Sequence, residues 1–124
     1  MNRIALFAII IVVFFLFVRK MNGGTRISAK DVHELIQNGE KVIVLDVRTE
    51  MEYQSGHIEG AMNLSVYDIG SERPASLSDL DQLIVVYCQS GARSGIVVRK
   101  LKDLGYTNVR NMGGLQFWRY GLVK

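Results

Sequence analysis

The residues with the clearest capacity for chemistry lie in one stretch, Cys88–Ser94, with the sequence CQSGARS. We call this stretch the cysteine loop. It contains the chain's one cysteine, and a cysteine thiolate is a strong nucleophile. The loop follows an apolar run typical of a buried strand, Leu83–Tyr87, and precedes an amphipathic helical segment, Ser94–Leu104. This order predicts a sulfur atom held in front of loop amides and the positive end of a helix.

Two residues in the cysteine loop strengthen this interpretation. Gly91 permits a positive φ, with which successive backbone amides converge on an anion, and Arg93 adds a positive charge. Both features favour the thiolate of Cys88 over the thiol and disfavour a merely structural buried cysteine. We therefore predict that Cys88 is the nucleophile and that the rest of the loop binds an anionic substrate. The predicted substrate-binding residues are Gln89, Ser90, Gly91, Ala92 and Arg93.

Composition excludes several other classes of protein. The 124 residues leave room for one domain, and 15 basic against 12 acidic residues give a formal net charge of +3. The excess lies in residues 1–21, so the remainder is neutral and a nucleic-acid partner is not expected. A lone cysteine excludes an internal disulfide, and no cysteine or histidine cluster has metal-ligand spacing. We expect neither a metal nor an organic cofactor.

The N-terminal segment is predicted to be a membrane anchor. Fifteen uninterrupted apolar residues, Ile4–Val18, are flanked by Arg3 and by Arg19 and Lys20. A cleaved secretory signal is disfavoured, because basic residues stand where a small-residue cleavage site belongs. The charges on the domain side predict a single-pass topology with the catalytic domain in the cytoplasm, where an unpaired thiol stays reduced. The predicted parts are residues 1–21 as a transmembrane helix, residues 22–26 as a linker and residues 27–124 as the domain.

The domain itself alternates apolar strands with amphipathic helices. Val42–Leu45, followed by Asp46, and Leu83–Tyr87, followed by Cys88, are typical of strands covered on both faces. Alternation of this kind predicts an α/β fold with a mainly parallel central sheet flanked by helices. In such sheets ligands bind at the carboxyl ends of the strands, where Asp46 and Cys88 are expected to lie.

Three segments, in matching order, resemble the rhodanese-like sulfurtransferase family. The family's loop pattern, cysteine-x-x-glycine-x-arginine followed by serine or alanine, is met in full by the cysteine loop. The second segment runs from Asp46-Val47-Arg48 through Glu52-Tyr53 to Gly56-His57-Ile58, with Gly60-Ala61 and Asn63. The third segment is Leu104-Gly105-Tyr106, with Val109 and Gly113-Gly114 through Trp118. The chain departs from the family at Glu59 and Ser65, where prolines are usual, and at Leu115, where an aromatic residue is frequent.

The resemblance implies a three-layer fold and a sulfur-transfer reaction. The Cys88 thiolate would take the outer sulfur of thiosulfate or another sulfane donor, become a persulfide and pass the sulfur to cyanide or to a thiol of a small molecule or protein. The acceptor must be external, because the chain has no second cysteine. We expect Asp46 and Arg48 to hold the edge of the loop, with Ser94 as a further supporting residue. His57 is expected to shape a glycine-flanked turn, and His33 to be solvated.

Two other functions compete with sulfur transfer. Phosphatases of the dual-specificity cell-cycle type share the fold, but their loop has five residues between cysteine and arginine. Here four residues intervene, which favours a sulfur anion over the larger phosphate. The second alternative is a non-catalytic, membrane-tethered interaction module. Such modules generally lack the nucleophile that Cys88 provides.

Overall fold

The structure of the chain is a computed structural model, which describes the backbone of residues 3–22 and 25–124 and the side chains of residues 3–13 and 25–124. After an N-terminal helix, strands and helices alternate as the apolar pattern predicts. The elements are α1 (Arg3–Asn22), α2 (Ala29–Gln37), β1 (Ile43–Asp46), α3 (Glu50–Ser55), β2 (Met62–Asn63), β3 (Ile84–Cys88), α4 (Ala92–Asp103) and β4 (Val109–Gly114), with short 3₁₀ helices at Val66–Asp68 and Leu115–Phe117.

The four strands form one parallel sheet in the order β2-β1-β3-β4. β3 is central, and its partners place Asp46 opposite Tyr87 and Gly114 opposite Cys88. The register between β3 and β4 shifts between Val86 and Tyr87, which brings the glycine-rich end of β4 beside the cysteine. The predicted α/β class with a parallel central sheet and flanking helices is confirmed.

Each face of the sheet carries its own apolar core. Alternate residues of a strand point to opposite faces, so Ile84, Val86 and Cys88 pack with residues of α4, whereas Val85 and Tyr87 pack with residues of α2. All five residues of β3 are fully buried. Burial of each large aliphatic side chain contributes about 1.5–3 kcal/mol. The strand that carries the cysteine is therefore firmly fixed between two helical layers.

The helices near the site begin at identifiable capping residues. Ser28 caps α2 by accepting a hydrogen bond from the amide of Asp31 at 3.1 Å. Thr49 caps α3 in a reciprocal arrangement with Glu52. α4 has no side-chain cap and instead follows Gly91, which has a left-handed backbone conformation. α4 therefore begins at Ala92 rather than at the predicted Ser94.

The transmembrane helix predicted for residues 1–21 is not found. Within the part of the chain that the structure describes, no helix combines the length and the apolar character needed to cross a membrane. That prediction falls partly outside the described residues, which leave out residues 1–2 and the side chains of residues 14–22. The predicted linker, residues 22–26, likewise includes residues 23–24, which are outside them.

Candidate active site

The sulfur of Cys88 lies at the carboxyl end of β3, under the turn that leads into α4. The amide of Gly91 donates a hydrogen bond to Cys88 Sγ at 2.9 Å. Ser94 Oγ lies 3.7 Å from the same sulfur and donates to the Gly91 carbonyl oxygen at 2.9 Å. Cys88 and Ser94 are fully buried. The cysteine loop therefore wraps backbone and hydroxyl groups around one sulfur atom.

These contacts shift the ionisation of the thiol. Burial alone would raise the pKa of Cys88. Hydrogen bonds with the backbone and hydroxyl of Ser94, and with the backbone of Gly91 and Ser90, outweigh burial and lower that pKa below its ordinary value. Since the thiolate is the reactive form of cysteine, these hydrogen bonds favour the reactive form of Cys88.

Two glycines give the cysteine loop its shape. Gly91 has a φ of +104°, a region that L side chains rarely adopt. At Gly114 a Cβ would lie 2.7 Å from the carbonyl oxygen of Gln89, so only glycine allows this close approach. That carbonyl also accepts a hydrogen bond from the amide of Leu115 at 3.1 Å. The end of β4 thus forms one wall of the loop.

The predicted substrate-binding residues do not all face the same way. Ser90 and Ala92 are exposed, and Gly91 is partly buried against β4. Gln89 is also exposed, but its side-chain oxygen accepts a hydrogen bond from Arg48 Nη1 at 3.2 Å. The amides around the sulfur come from the loop backbone, while the Gln89 side chain fastens the loop to the neighbouring strand end.

Arg93 is engaged in an ion pair, although we expected its charge to be directed at a bound anion. Its two terminal nitrogens donate to the two carboxylate oxygens of Glu52, at 2.7 Å and 3.0 Å. The hydrogen bond from Arg93, with further bonds from Thr49, lowers the pKa of Glu52 to about 2. Thr49 and Glu52 also cap α3. The arginine is therefore positioned by a helix start on the other side of the loop.

Asp46 and Arg48 form a buried ion pair beside the loop. Arg48 Nη2 lies 2.8 Å from Asp46 Oδ2 and donates to the Gly56 carbonyl oxygen at 2.6 Å. Tyr87 donates from its hydroxyl to Asp46 Oδ2 at 2.7 Å and accepts from the amide of Ile58 at 3.2 Å. This arrangement agrees with a supporting role for Asp46 and Arg48 rather than a catalytic one.

The pKa values of Arg48 and Tyr87 are consistent with a buried ion pair between Asp46 and Arg48. Burial alone would lower the pKa of Arg48, but the hydrogen bond and charge of Asp46 outweigh burial and raise it. Burial, followed by the hydrogen bond to Asp46, raises the pKa of Tyr87. Arg48 stays cationic and Tyr87 stays a neutral donor. The network is charge-balanced and holds the strand ends together.

The two histidines lie in aromatic contacts. His57 Nδ1 is 2.8 Å from the Tyr53 carbonyl oxygen, and its ring stacks on that of Tyr53 at 3.7 Å. This agrees with a role in shaping the turn. The prediction that His33 is solvated is wrong. His33 is half-buried and stacks on Tyr120 at 3.7 Å, with Trp118 edge-on at 5.8 Å.

Two residues of the site received no role from the sequence. The sequence signal for Glu52 is its spacing from Thr49, which is the signature of a capping box. Tyr87 looked like one more apolar strand residue, and nothing local signals its bond to Asp46. Within the described residues, no group of histidine, cysteine, aspartate or glutamate side chains is arranged to hold a metal ion.

Known proteins are similar to this chain in sequence and in fold. The chain is 35% identical over 72 residues to the thiosulfate sulfurtransferase PspE of Escherichia coli, covering 58% of this chain and 69% of that protein. It is 34% identical over 100 residues to a sulfurtransferase of Allochromatium vinosum, covering 77% and 90%. The human single-domain sulfurtransferase TSTD1 superimposes with a TM-score of 0.69 at 28% identity, covering 77% and 96%.

Other relatives are longer than this chain. It spans between 22% and 24% of the length of several proteins named as adenylyltransferases, from Porphyra purpurea, Candida albicans and Mycobacterium tuberculosis. The family described as the rhodanese-like domain matches residues 28–120, which include every site residue described above. The sequence motifs, the fold and the family match over residues 28–120 all lead to the same conclusion: the chain belongs to the rhodanese-like domain family.

Proposed function

We propose that the protein is a sulfurtransferase that moves sulfane sulfur from thiosulfate or a persulfide to a thiol or cyanide through a persulfide on Cys88. The observation that carries this proposal is the 2.9 Å hydrogen bond from the Gly91 amide to Cys88 Sγ. It belongs to a set of donors that lowers the pKa of the thiol. The sulfurtransferase names of the relatives support the same reaction.

The first step loads the cysteine with sulfur. The Cys88 thiolate attacks the outer sulfur of thiosulfate, and a new S–S bond forms. The original S–S bond breaks, and its electron pair leaves with sulfite. The terminal sulfur of the resulting persulfide carries the negative charge, which the amides of the cysteine loop and the start of α4 stabilise.

The second step returns the enzyme to its starting state. An acceptor thiolate or cyanide attacks the terminal sulfur, the persulfide bond breaks, and its electron pair returns to Cys88 as thiolate. The chain has one cysteine, so the acceptor is an external molecule. Each step moves one neutral sulfur atom onto or off the protein and leaves its net charge and its number of protons unchanged.

Mass spectrometry after thiosulfate treatment tests this proposal. We expect one added sulfur atom on Cys88, removed again by cyanide, with one sulfite released for each sulfur bound. Cys88→Ser is the matched control, because a neutral hydroxyl is nearly isosteric but is not ionised at neutral pH. Sulfur that loads elsewhere, or equally on the serine variant, would rule out this mechanism.

We further propose that α1 holds the domain at a membrane, with the catalytic domain on the cytoplasmic side. The support is the apolar run Ile4–Val18 with its flanking basic residues, and the exposed apolar side chains at the described start of α1, such as Ile4 and Phe7. In cells, the intact chain should pellet with membranes, and deletion of residues 1–21 should release it. Labelling of Cys88 in intact cells by a membrane-impermeant thiol reagent would contradict the cytoplasmic side.

A further inference from the structure

We infer that Glu52 determines which sulfur donors the cysteine loop accepts, favouring persulfides that react in their neutral form over the thiosulfate dianion. This inference rests on the proposed sulfur transfer and specifies its donor class. Glu52 contacts the cysteine loop through the Arg93 side chain. It is a positioning residue that acts through Arg93.

The first observation is the geometry of the ion pair. Both terminal nitrogens of Arg93 are bonded to the Glu52 carboxylate, at 2.7 Å and 3.0 Å. The two side chains are 26% and 32% exposed, so the pair lies at the edge of the site, within reach of solvent and substrate. A guanidinium held this way presents a neutral pair, rather than a free cation, to an incoming anion.

The second observation is that the other cation of the site is also neutralised. Arg48 is paired with Asp46 and is buried. The charges of the two pairs cancel, so a reacting Cys88 thiolate contributes the one unbalanced charge among these five side chains. The pKa of Arg93 is consistent with this pairing. It is raised mainly by the hydrogen bond and charge of Glu52, and less by the charges of Cys88 and Tyr67.

A dianion is therefore at a disadvantage in this loop. Thiosulfate brings two negative charges toward a thiolate, and the opposing groups are backbone amides and a helix start, which supply partial charges only. A persulfide of the form R–S–SH brings none. The thiolate attacks its outer sulfur, the S–S bond breaks, and R–S⁻ leaves with the electron pair while Cys88 keeps the terminal SH. The net charge of the site and donor is unchanged by this step.

Glu52→Gln isolates the charge of this residue. Glutamine also serves at this position of a capping box, so the start of α3 is retained. We expect the variant to lower the KM for thiosulfate by about twofold to fivefold, the size expected for one partly exposed charge. The KM for a persulfide with an uncharged alkyl tail should change by less than about twofold. Raising the ionic strength should raise the variant's KM for thiosulfate, because a free Arg93 is screened by salt.

Three controls make the result specific. Glu50→Gln removes a charge from the same first turn of α3 without touching Arg93, and should leave both KM values near those of the wild type. Glu52→Asp keeps the carboxylate and should keep the wild-type preference between donors. The wild-type KM for thiosulfate should not rise with ionic strength, a measurement that decides the question even where a variant does not fold.

The opposite results separate this inference from the function on which it rests. Suppose that Cys88 is loaded by both donors and that Glu52→Gln changes both KM values equally. This result overturns the role of Glu52 in donor choice and leaves sulfur transfer intact. A thiosulfate KM that is unchanged or raised in the variant overturns it too. Absence of a Cys88 persulfide with either donor overturns sulfur transfer itself.

Discussion

Tyr87 and Cys88 are neighbours in the chain, yet their side chains lie on opposite faces of the sheet. Cys88 packs with the α4 layer, where its sulfur meets the amide of Gly91. Tyr87 packs with the α2 layer and bonds Asp46. One strand end therefore places a thiol of lowered pKa on one side of the sheet and an anchor for the buried ion pair on the other. Two consecutive residues therefore supply the thiol of the site and the hydrogen bond that holds its neighbouring ion pair.

The lowered pKa of Cys88 makes a prediction about pH. The rate of alkylation by iodoacetamide should rise with pH around a midpoint below that of an ordinary, solvent-exposed cysteine. Ser94→Ala removes the hydroxyl that lies 3.7 Å from the sulfur and helps to lower its pKa, so the midpoint should move upward. A midpoint at the ordinary value in the wild type would mean that burial outweighs the hydrogen bonds of the loop.

The same shift predicts how stability depends on pH. The folded state releases its proton from Cys88 at a lower pH than the unfolded chain does, so the unfolded chain binds more protons between the two pKa values. Stability from this group therefore rises with pH across that window, reaches its full value above the ordinary pKa, and is lost as pH falls through the folded pKa. Denaturant titrations of wild type and Cys88→Ser should converge at the acid end of the window.

Removal of the Arg93 side chain should affect binding more than folding. Arg93→Ala leaves the Glu52 carboxylate unpaired beside the loop, so the KM for thiosulfate should rise. The cost in stability should be only about 0.2–1 kcal/mol, because the ion pair is partly exposed. A large loss of melting temperature with an unchanged KM would instead make Arg93 a structural residue.

The Arg93→Ala variant should also differ from the wild type in how its stability depends on pH below about 5. In the wild type, stabilisation through Glu52 is present above its unfolded pKa of about 4.3 and is lost as pH falls toward about 2, its folded pKa. In Arg93→Ala the folded pKa should move back toward the ordinary value. Stability curves of the two proteins should therefore differ at pH 5 and approach each other near pH 2. Curves that stay parallel would contradict the pairing.

Tyr87→Phe should destabilise the domain through Asp46. The change removes one donor to the Asp46 carboxylate and the acceptor of the Ile58 amide, and we expect a loss of about 1–3 kcal/mol. Tyr106→Phe is the matched control, because Tyr106 is also buried but donates only to the Leu77 carbonyl. Chemical denaturation compares the two. An equal loss in both variants would show that the Asp46 network adds nothing beyond one hydrogen bond.

Gly114→Ala should disrupt the cysteine loop from the neighbouring strand. The new Cβ would lie 2.7 Å from the Gln89 carbonyl oxygen, so the loop backbone must move. We expect a fall in the rate of Cys88 persulfide formation and a loss of stability of about 1–3 kcal/mol. Gly70→Ala is the control, because a Cβ there meets nothing within 4 Å. Retention of the wild-type rate in Gly114→Ala would show that this close approach is not required.

Local chemistry explains which parts of the structure were predictable. Strands β1 and β3 are short runs of apolar residues, and α2 and α3 begin at a serine and a threonine, so their existence follows from patterns within a few residues. The start of α4 was predicted two residues late, because Gly91 caps it by backbone conformation and leaves no side-chain signal. The hydrogen-bonded setting of Cys88 follows from the same local order of strand, loop and helix.

Contacts between distant residues explain the rest. Arg93 and Glu52 are 41 residues apart, as are Tyr87 and Asp46, and a single sequence does not indicate such partners. Stacking of His33 on Tyr120 joins the second helix to the C-terminal segment in the same way. The sequence predicted a bound anion beside Arg93, plain apolar packing for Tyr87 and solvent around His33, whereas the structure gives each of them a distant side-chain partner.

The wall that β4 gives to the cysteine loop has a consequence for the order of events during synthesis. Gln89 is bound by the amide of Leu115, a residue made 26 positions later, and pairing of such distant segments comes at a cost in loop-closure entropy. A nascent chain in which Cys88 has left the ribosome but Leu115 has not therefore lacks the hydrogen bond from Leu115 to the cysteine loop. The cysteine loop therefore acquires its β4 wall when the last of the four strands to be synthesised joins the sheet.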